Sequence, residues 1–221
     1  MFAPIMIHFI RILTLALTSL LLAAGAASAH PHVWVTMKSA VVYGPDGSIT
    51  GVRHAWTFDD MYSAFAVQGL DSKKKGEFTA EELKPLAQVN VESLKEYDFF
   101  TYAKASGKTV AFAEPVDYRL EFNAKDTVLT LHFVLPLKAP LKAKALELEV
   151  FDPSYFVDFS LVEKDPVSLE KAPAGCQIGL GKPQEMTKEM AQRLAEIPPD
   201  GKIPANSYGA AFSNKISVKC S

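Results

Sequence analysis

The chain has 221 residues, 48% of them hydrophobic, and carries 23 Lys and Arg against 25 Asp and Glu, so it has material for a packed core and a formal net charge of −2. That balance excludes the basic face a nucleic-acid binder needs, and no Lys/Arg run marks a membrane-surface segment.

Arg11 is the only charge before an apolar run from Ile12 to Ala26, which closes on small residues, Ala26-Ala27-Ser28-Ala29. A positive end, a short greasy segment and an A-x-A exit form a secretory signal peptide, here residues 1–29. The apolar run is about 15 residues, short of the roughly 20 that span a bilayer, so no stable membrane insertion is expected after cleavage. An uncleaved anchor is the competing reading. Cleavage after Ala29 leaves His30 as the mature N-terminus of a periplasmic protein.

His32 to Tyr43 alternates loosely and is rich in Val, Thr and aromatic residues, the pattern of a strand. Gly44-Pro45-Asp46-Gly47 follows as a turn, because proline presets φ and glycine accepts positive φ. Ile49 to Phe58 returns as the second strand of a hairpin. Asp59 to Leu70 then places Met61, Tyr62, Ala64 and Phe65 at helical spacing, and Ala80 to Leu94 does the same with Leu83, Leu86, Ala87 and Leu94. Pro85 is expected to bend the first turns of that second helix. Thr79-Ala80-Glu81-Glu82 starts it as a capping box, in which threonine and glutamate satisfy each other's free amides.

Beyond Tyr97 the pattern changes to strands at Phe99–Lys104, Thr109–Ala113, Tyr118–Phe122, Val128–Leu135, Leu146–Phe151 and Phe156–Val162, punctuated by Ser106-Gly107 and Asn123-Ala124-Lys125-Asp126. The tail is rich in Pro and Gly. It carries a short helix, Thr187 to Ile197, whose stripe of Met186, Met190, Leu194 and Ile197 has core spacing rather than that of a copper-binding methionine pair. Ser213 to Lys219 reads as a last strand. Cys176 and Cys220, an even count in an oxidising compartment, are expected to pair and pin it, with a two-thiolate metal site as the alternative. The expected fold class is α+β: an antiparallel β-rich sandwich with an inserted EF-hand-like helical hairpin at about 59–96. The β-rich domain would cover 30–171, and 172–221 a C-terminal extension.

The chemistry-bearing residues gather at the seam Ala29-His30-Pro31-His32. A free α-amine and an imidazole on His30 chelate one metal ion, and His32 follows two positions on, on the same strand face if His30 is extended. Neutral imidazole suits zinc, copper, nickel and iron, while calcium and magnesium prefer oxygen; the expected cofactor is a transition-metal dication, Zn, Ni, Co or Cu. Pro31 has no N–H to deprotonate, which leaves amine plus side chains as ligands. His54 is the candidate third ligand. With Tyr43 opposite Ser48 it falls across from Met37, on the odd face of the first strand, away from His32, and a single bulge would reverse that parity. Asp59 is a further candidate, set against its competing role as a helix cap. His132 reads as a half-buried strand residue. Asp71 to Glu82 has the outline of a calcium loop, but Lys73 and Lys75 stand where oxygens are needed and repel a dication, so a degenerate loop is expected. No G-x-S-x-G, H-E-x-x-H, Walker or G-x-G-x-x-G signature occurs, and no enzymatic activity is expected.

The stretches "HPHVWV", "RHAWTFDDMYSAF", "LDSKKKGEFTAEEL", "ESLKEYDFFTY", "FDPSYFVDF" and "FSNKISVKC" resemble, in this order, a family of uncharacterised bacterial proteins described as periplasmic components of ABC-type transport systems. That family is usually encountered beside nickel, cobalt or zinc transport genes, so the resemblance implies metal handling, with His30, His32 and His54 as sites and an inner-membrane metal transporter as partner. The sequence departs from the family at Lys73 and Lys75, where relatives are often more calcium-like. The expected function is a periplasmic transition-metal-binding accessory protein for Ni, Co or Zn transport. The alternatives are a copper-brace redox enzyme, for which the two-residue histidine spacing is cramped, and a structural or protein-binding domain without metal.

Overall fold

The computed structural model describes residues 31–195 and 208–221. Among the described residues two β-sheets and three α-helices make a mixed α+β fold that is mostly strand. β1 (Val33–Tyr43) and β2 (Ile49–Phe58) form the expected hairpin, followed by helix α1 (Asp60–Ala66) and helix α2 (Ala80–Leu94). Strands β3 (Thr101–Ala105), β4 (Lys108–Val110), β5 (Val116–Asn123), β6 (Val128–Leu141), β7 (Ala145–Val150), β8 (Val157–Leu161), β9 (Val167–Glu170) and β10 (Cys176–Leu180) come next. Helix α3 (Lys188–Ala195) and strand β11 (Asn214–Cys220) complete the described chain.

The first sheet runs β5-β6-β2-β1-β8, with β9 also on β1, and the second runs β10-β11-β7-β3-β4. The expected extension, residues 172–221, supplies two strands of the second sheet, one of them internal, and Cys176 and Cys220 are joined by a disulfide. β8 and β9 run parallel to β1, against the antiparallel expectation. Each covers half of it: Val33 to Met37 faces β8, and Ser39 to Val42 faces β9. Alternation fixes which face a side chain takes but not the direction in which a strand is laid beside its neighbour.

One face of the first sheet is buried by two different partners. Val41, Tyr43, Ile49 and Val52 meet Ala103, Leu146, Leu148, Ile216 and Val218 of the second sheet. Further along, Val35, Met37, Trp56, Leu131 and Phe133 meet Leu83, Ala87 and Val91, the four-residue stripe of α2. The capping box of α2 is complete, and its Pro85 lies within the helix. α1 is shorter than expected and shows the other face: Ser63 is its buried residue, while Met61 and Phe65 are exposed. The buried face combines Tyr62 and Ala66, which pack on the core, with Ser63, whose hydroxyl accepts the Leu129 N–H at 2.9 Å and so ties the helix to the start of β6. The predicted start of β3 is also displaced, because Asp98, Phe99 and Phe100 all sit at positive φ, in a left-handed turn that delivers the chain into the second sheet. α3 buries Leu194 beside Tyr155 and Phe212, as its stripe predicts, and Ile197 lies outside the described residues. Among the described residues no helix is long and apolar enough to cross a membrane.

Candidate functional site

β1 begins at one end of the first sheet, between β2 and β8 and beside the turn that precedes β8. Asp152 builds this turn: Oδ1 accepts the Ser154 N–H and hydroxyl, both at 2.8 Å, and Oδ2 accepts the Val157 N–H at 3.0 Å. The turn presents the Phe156 carbonyl to the N–H groups of His32 and Val33, at 2.8 and 3.2 Å, and the Phe156 ring to the His32 imidazole, centroids 4.6 Å apart. The parallel register sets Val33 beside Val157 and Trp34 beside Asp158. His32, Trp34, Phe156 and Asp158 therefore share the outer face of the sheet, opposite the core-facing Val33, Val35 and Phe159. His30, the leading candidate, lies outside the described residues.

Asp158 is the carboxylate this register brings to the histidine end of β1. Burial raises its pKa, and a hydrogen bond from the Tyr155 phenol opposes that shift. Tyr155 is itself pushed up to about 12, mainly by burial and then by the Asp158 charge. A sequence signal for Asp158 existed in "FDPSYFVDF", but only the pairing of β8 with β1 places it beside Trp34.

His54 lies elsewhere. It is 0% exposed and pairs with Ser39, not Met37, because the turn makes Tyr43 face Ile49 and a further shift follows between Val42 and Tyr43. Two single-residue displacements restore the parity, so His54 stays on the odd, core face and does not converge with His32. Its Nδ1 is 2.9 Å from Ser39 Oγ and its Nε2 is 3.4 Å from Thr101 Oγ1. Thr101 spends its hydroxyl hydrogen on the Phe99 carbonyl at 2.8 Å, so it accepts from Nε2–H, and Nδ1 accepts from Ser39. Burial pushes the imidazole down to about 3, which keeps it neutral. Both nitrogens are engaged in tying β1 and β2 to the left-handed turn before β3.

Asp59 is the N-cap of α1. Its Oδ1 accepts the Tyr62 N–H at 2.8 Å and its Oδ2 the Trp34 N–H at 2.9 Å, while its own N–H donates to the Trp34 carbonyl. The carboxylate thus joins β1 to α1. His132 is on the outer face, but two strands across and roughly 20 Å along from His32 by strand geometry. It lies 3.2 Å from Glu121, and burial, followed by the Arg119 charge, lowers its pKa. In the 71–82 loop, Glu82 accepts the Lys73 N–H at 2.9 Å and the Thr79 N–H and hydroxyl at 2.8 Å, so both of its oxygens hold protein donors. Among the described residues no group of three or more His, Cys, Asp or Glu is placed to hold a metal ion.

Residues 15–220 match the family described as "Protein of unknown function (DUF1007)". The chain belongs to the DUF1007 family. It is also 25% identical over 195 residues to an uncharacterized protein of Haemophilus influenzae, covering 87% of this chain and 91% of that one. The match extends to Cys220 at the end of β11, so for this DUF1007 protein the tail strands belong to the family's body together with the hairpin and the helices.

Proposed function

We propose that the protein is an exported, periplasmic metal-binding accessory protein that captures a transition-metal dication, Zn, Ni, Co or Cu, and passes it to an inner-membrane metal transporter. The observation that supports this reading most is the placement of His32 at the head of β1, on the outer face and beside Asp158's strand, immediately after His30-Pro31. In this reading signal cleavage after Ala29 frees the His30 amine, His30 contributes that amine and its imidazole, and His32 contributes a second imidazole. Asp158 replaces His54 as the completing ligand, because His54 points into the core and Asp59 is held by main-chain amides. An incomplete shell at an exposed edge suits exchange with a transporter better than a closed tetrahedral site does.

The test is titration of the mature protein with each metal beside a variant carrying one extra residue before His30. A loss of affinity of at least about tenfold in the extended variant is expected, since ligand loss weakens metal sites by about this much or more. Equal affinities would defeat the proposal, as would a mature terminus other than His30 by intact mass. The copper-redox alternative separates from it by oxygen consumption with Cu(II) and a reductant.

A further inference from the structure

Among the described residues each sheet has two outer strands with no neighbour beyond them, and these edges are not alike. On the first sheet, β5 is interrupted by a register shift between Val116 and Arg119, with Asp117 at positive φ, and it carries Arg119 and Glu121. The opposite edge is divided between β8 and β9, which carry Asp158 and Glu170, with Asp165 at positive φ between them. On the second sheet, β4 is three residues long and begins with Lys108. Charge, irregularity and shortness are the means by which proteins keep an edge from pairing with another chain. β10 has neither charge nor irregularity: Cys176–Leu180 holds no charged residue, stays in register with β11 throughout, and leaves Ile178 37% and Leu180 49% exposed.

The register also fixes which main-chain groups are open. Gly181 N–H donates to the Lys215 carbonyl at 2.8 Å, so Gly181 and Lys215 form a hydrogen-bonded pair. The two-residue alternation of an antiparallel ladder makes Gly179–Ser217 and Gln177–Lys219 the others. The N–H and C=O groups of Ile178 and Leu180, opposite Val218 and Ile216, therefore point away from β11 toward the open side. Their side chains lie on the same face as the buried Val218 and Ile216, so β10 carries the apolar face of the sheet out to its rim.

We infer that β10 is a homodimerisation edge, at which two copies of the chain add β10 to β10 antiparallel about a two-fold axis through Gly179. In this arrangement Ile178 of each copy pairs with Leu180 of the other, and every outward N–H meets an outward C=O. An isologous contact needs a segment that is its own complement. The apolar-Gly-apolar run centred on Gly179 is such a segment, and the side chains of Ile178 and Leu180 pack against their symmetry mates on one face. Gly179 suits the axis for a second reason: a Cβ there would come within 2.6 Å of Ser217 Oγ, so the strand is kept bare on its other face.

Sedimentation velocity of the exported protein over micromolar to near-millimolar concentration tests this, with Ile178→Pro and Leu180→Lys as variants. Proline at 178 removes an N–H that the ladder to β11 does not use. Leu180→Lys leaves the main chain intact and carries the test alone if the proline variant fails to fold, which its thermal midpoint reports. The expected result is a doubling of mass with concentration for the wild type and a monomer for both variants. The Leu180 amide should also exchange about tenfold or more slower in the wild-type dimer than in Ile178→Pro. A wild type that stays monomeric, a dimer unchanged by either folded variant, or a slowly exchanging Leu180 amide in a monomer, which would mean that the chain covers its own edge, overturns the inference.

Discussion

His54 and His32 sit on one hairpin, and their environments are opposite. His54 faces the core, with its nitrogens bonded to Ser39 and Thr101 and its ring between Trp56 and Phe133. His32 faces outward at the start of β1, against Phe156. The same side chain is thus a neutral structural pin on one face of the ribbon and a candidate ligand on the other. The comparison teaches that the parity of a strand position, more than the residue type, decides what a histidine can do.

The sharpest way to break the comparison is to remove a large residue from each face. Trp56→Ala should cost about 3–5 kcal/mol in denaturant unfolding, because the cavity opens among Phe133, Phe159 and His54. Trp34→Ala, on the outer face, should cost about 1 kcal/mol or less, and equal losses would mean that the two faces are not distinct in energy.

The pH dependence of stability tests the pinned histidine. The folded pKa of His54, about 3, lies below its unfolded value of about 6.5, so between these limits the unfolded chain binds the additional proton. This contribution is fully present above about pH 6.5 and is lost as the pH falls toward 3, at up to about 1.4 kcal/mol per pH unit. His54→Gln should flatten the slope between about pH 6 and pH 4 relative to the wild type, and parallel slopes would contradict a buried neutral imidazole.

Asp59→Ala should lose about 1–2 kcal/mol by removing the acceptor for both Tyr62 and Trp34 amides, and Asp59→Asn should recover only the Tyr62 cap, because its NH2 group would face the Trp34 N–H. The smallest stability effect belongs to His32→Ala, within about 0.5 kcal/mol, and the same variant should lose at least about tenfold in Zn or Ni affinity. A variant that loses stability but no metal affinity would move His32 to the structural side of the comparison.

Much of the architecture was legible from periodicity. The β1–β2 hairpin, the α2 capping box and the disulfide all follow from local signals, because alternation, caps and cysteine count act within a few residues of themselves or within a redox compartment. β9 and β10 gave no such signal, since Val167–Glu170 is too short to show alternation and Cys176–Leu180 is broken by glycine. Helix α1 was visible as a helix, but of its expected apolar stripe only Tyr62 packs on the core, beside Ala66 and a serine hydrogen-bonded to Leu129, while Met61 and Phe65 are exposed. The candidate site was legible only in part: the histidines stand in the sequence, and their relation to Asp158 does not.

Local pattern was enough for the β1–β2 hairpin, the two helices that follow it and the last strand, for the alternation of faces within each of those strands, and for the two histidines that precede β1. Only the tertiary structure decided that β8 lies parallel to β1, that Asp158 reaches the end of β1 where His32 stands, and that His54 meets Thr101 across the core. The physical reason is range. Side-chain periodicity is set by backbone geometry between neighbours, whereas strand direction and partner choice are set by which long-range pairing buries the most apolar surface while satisfying the main chain.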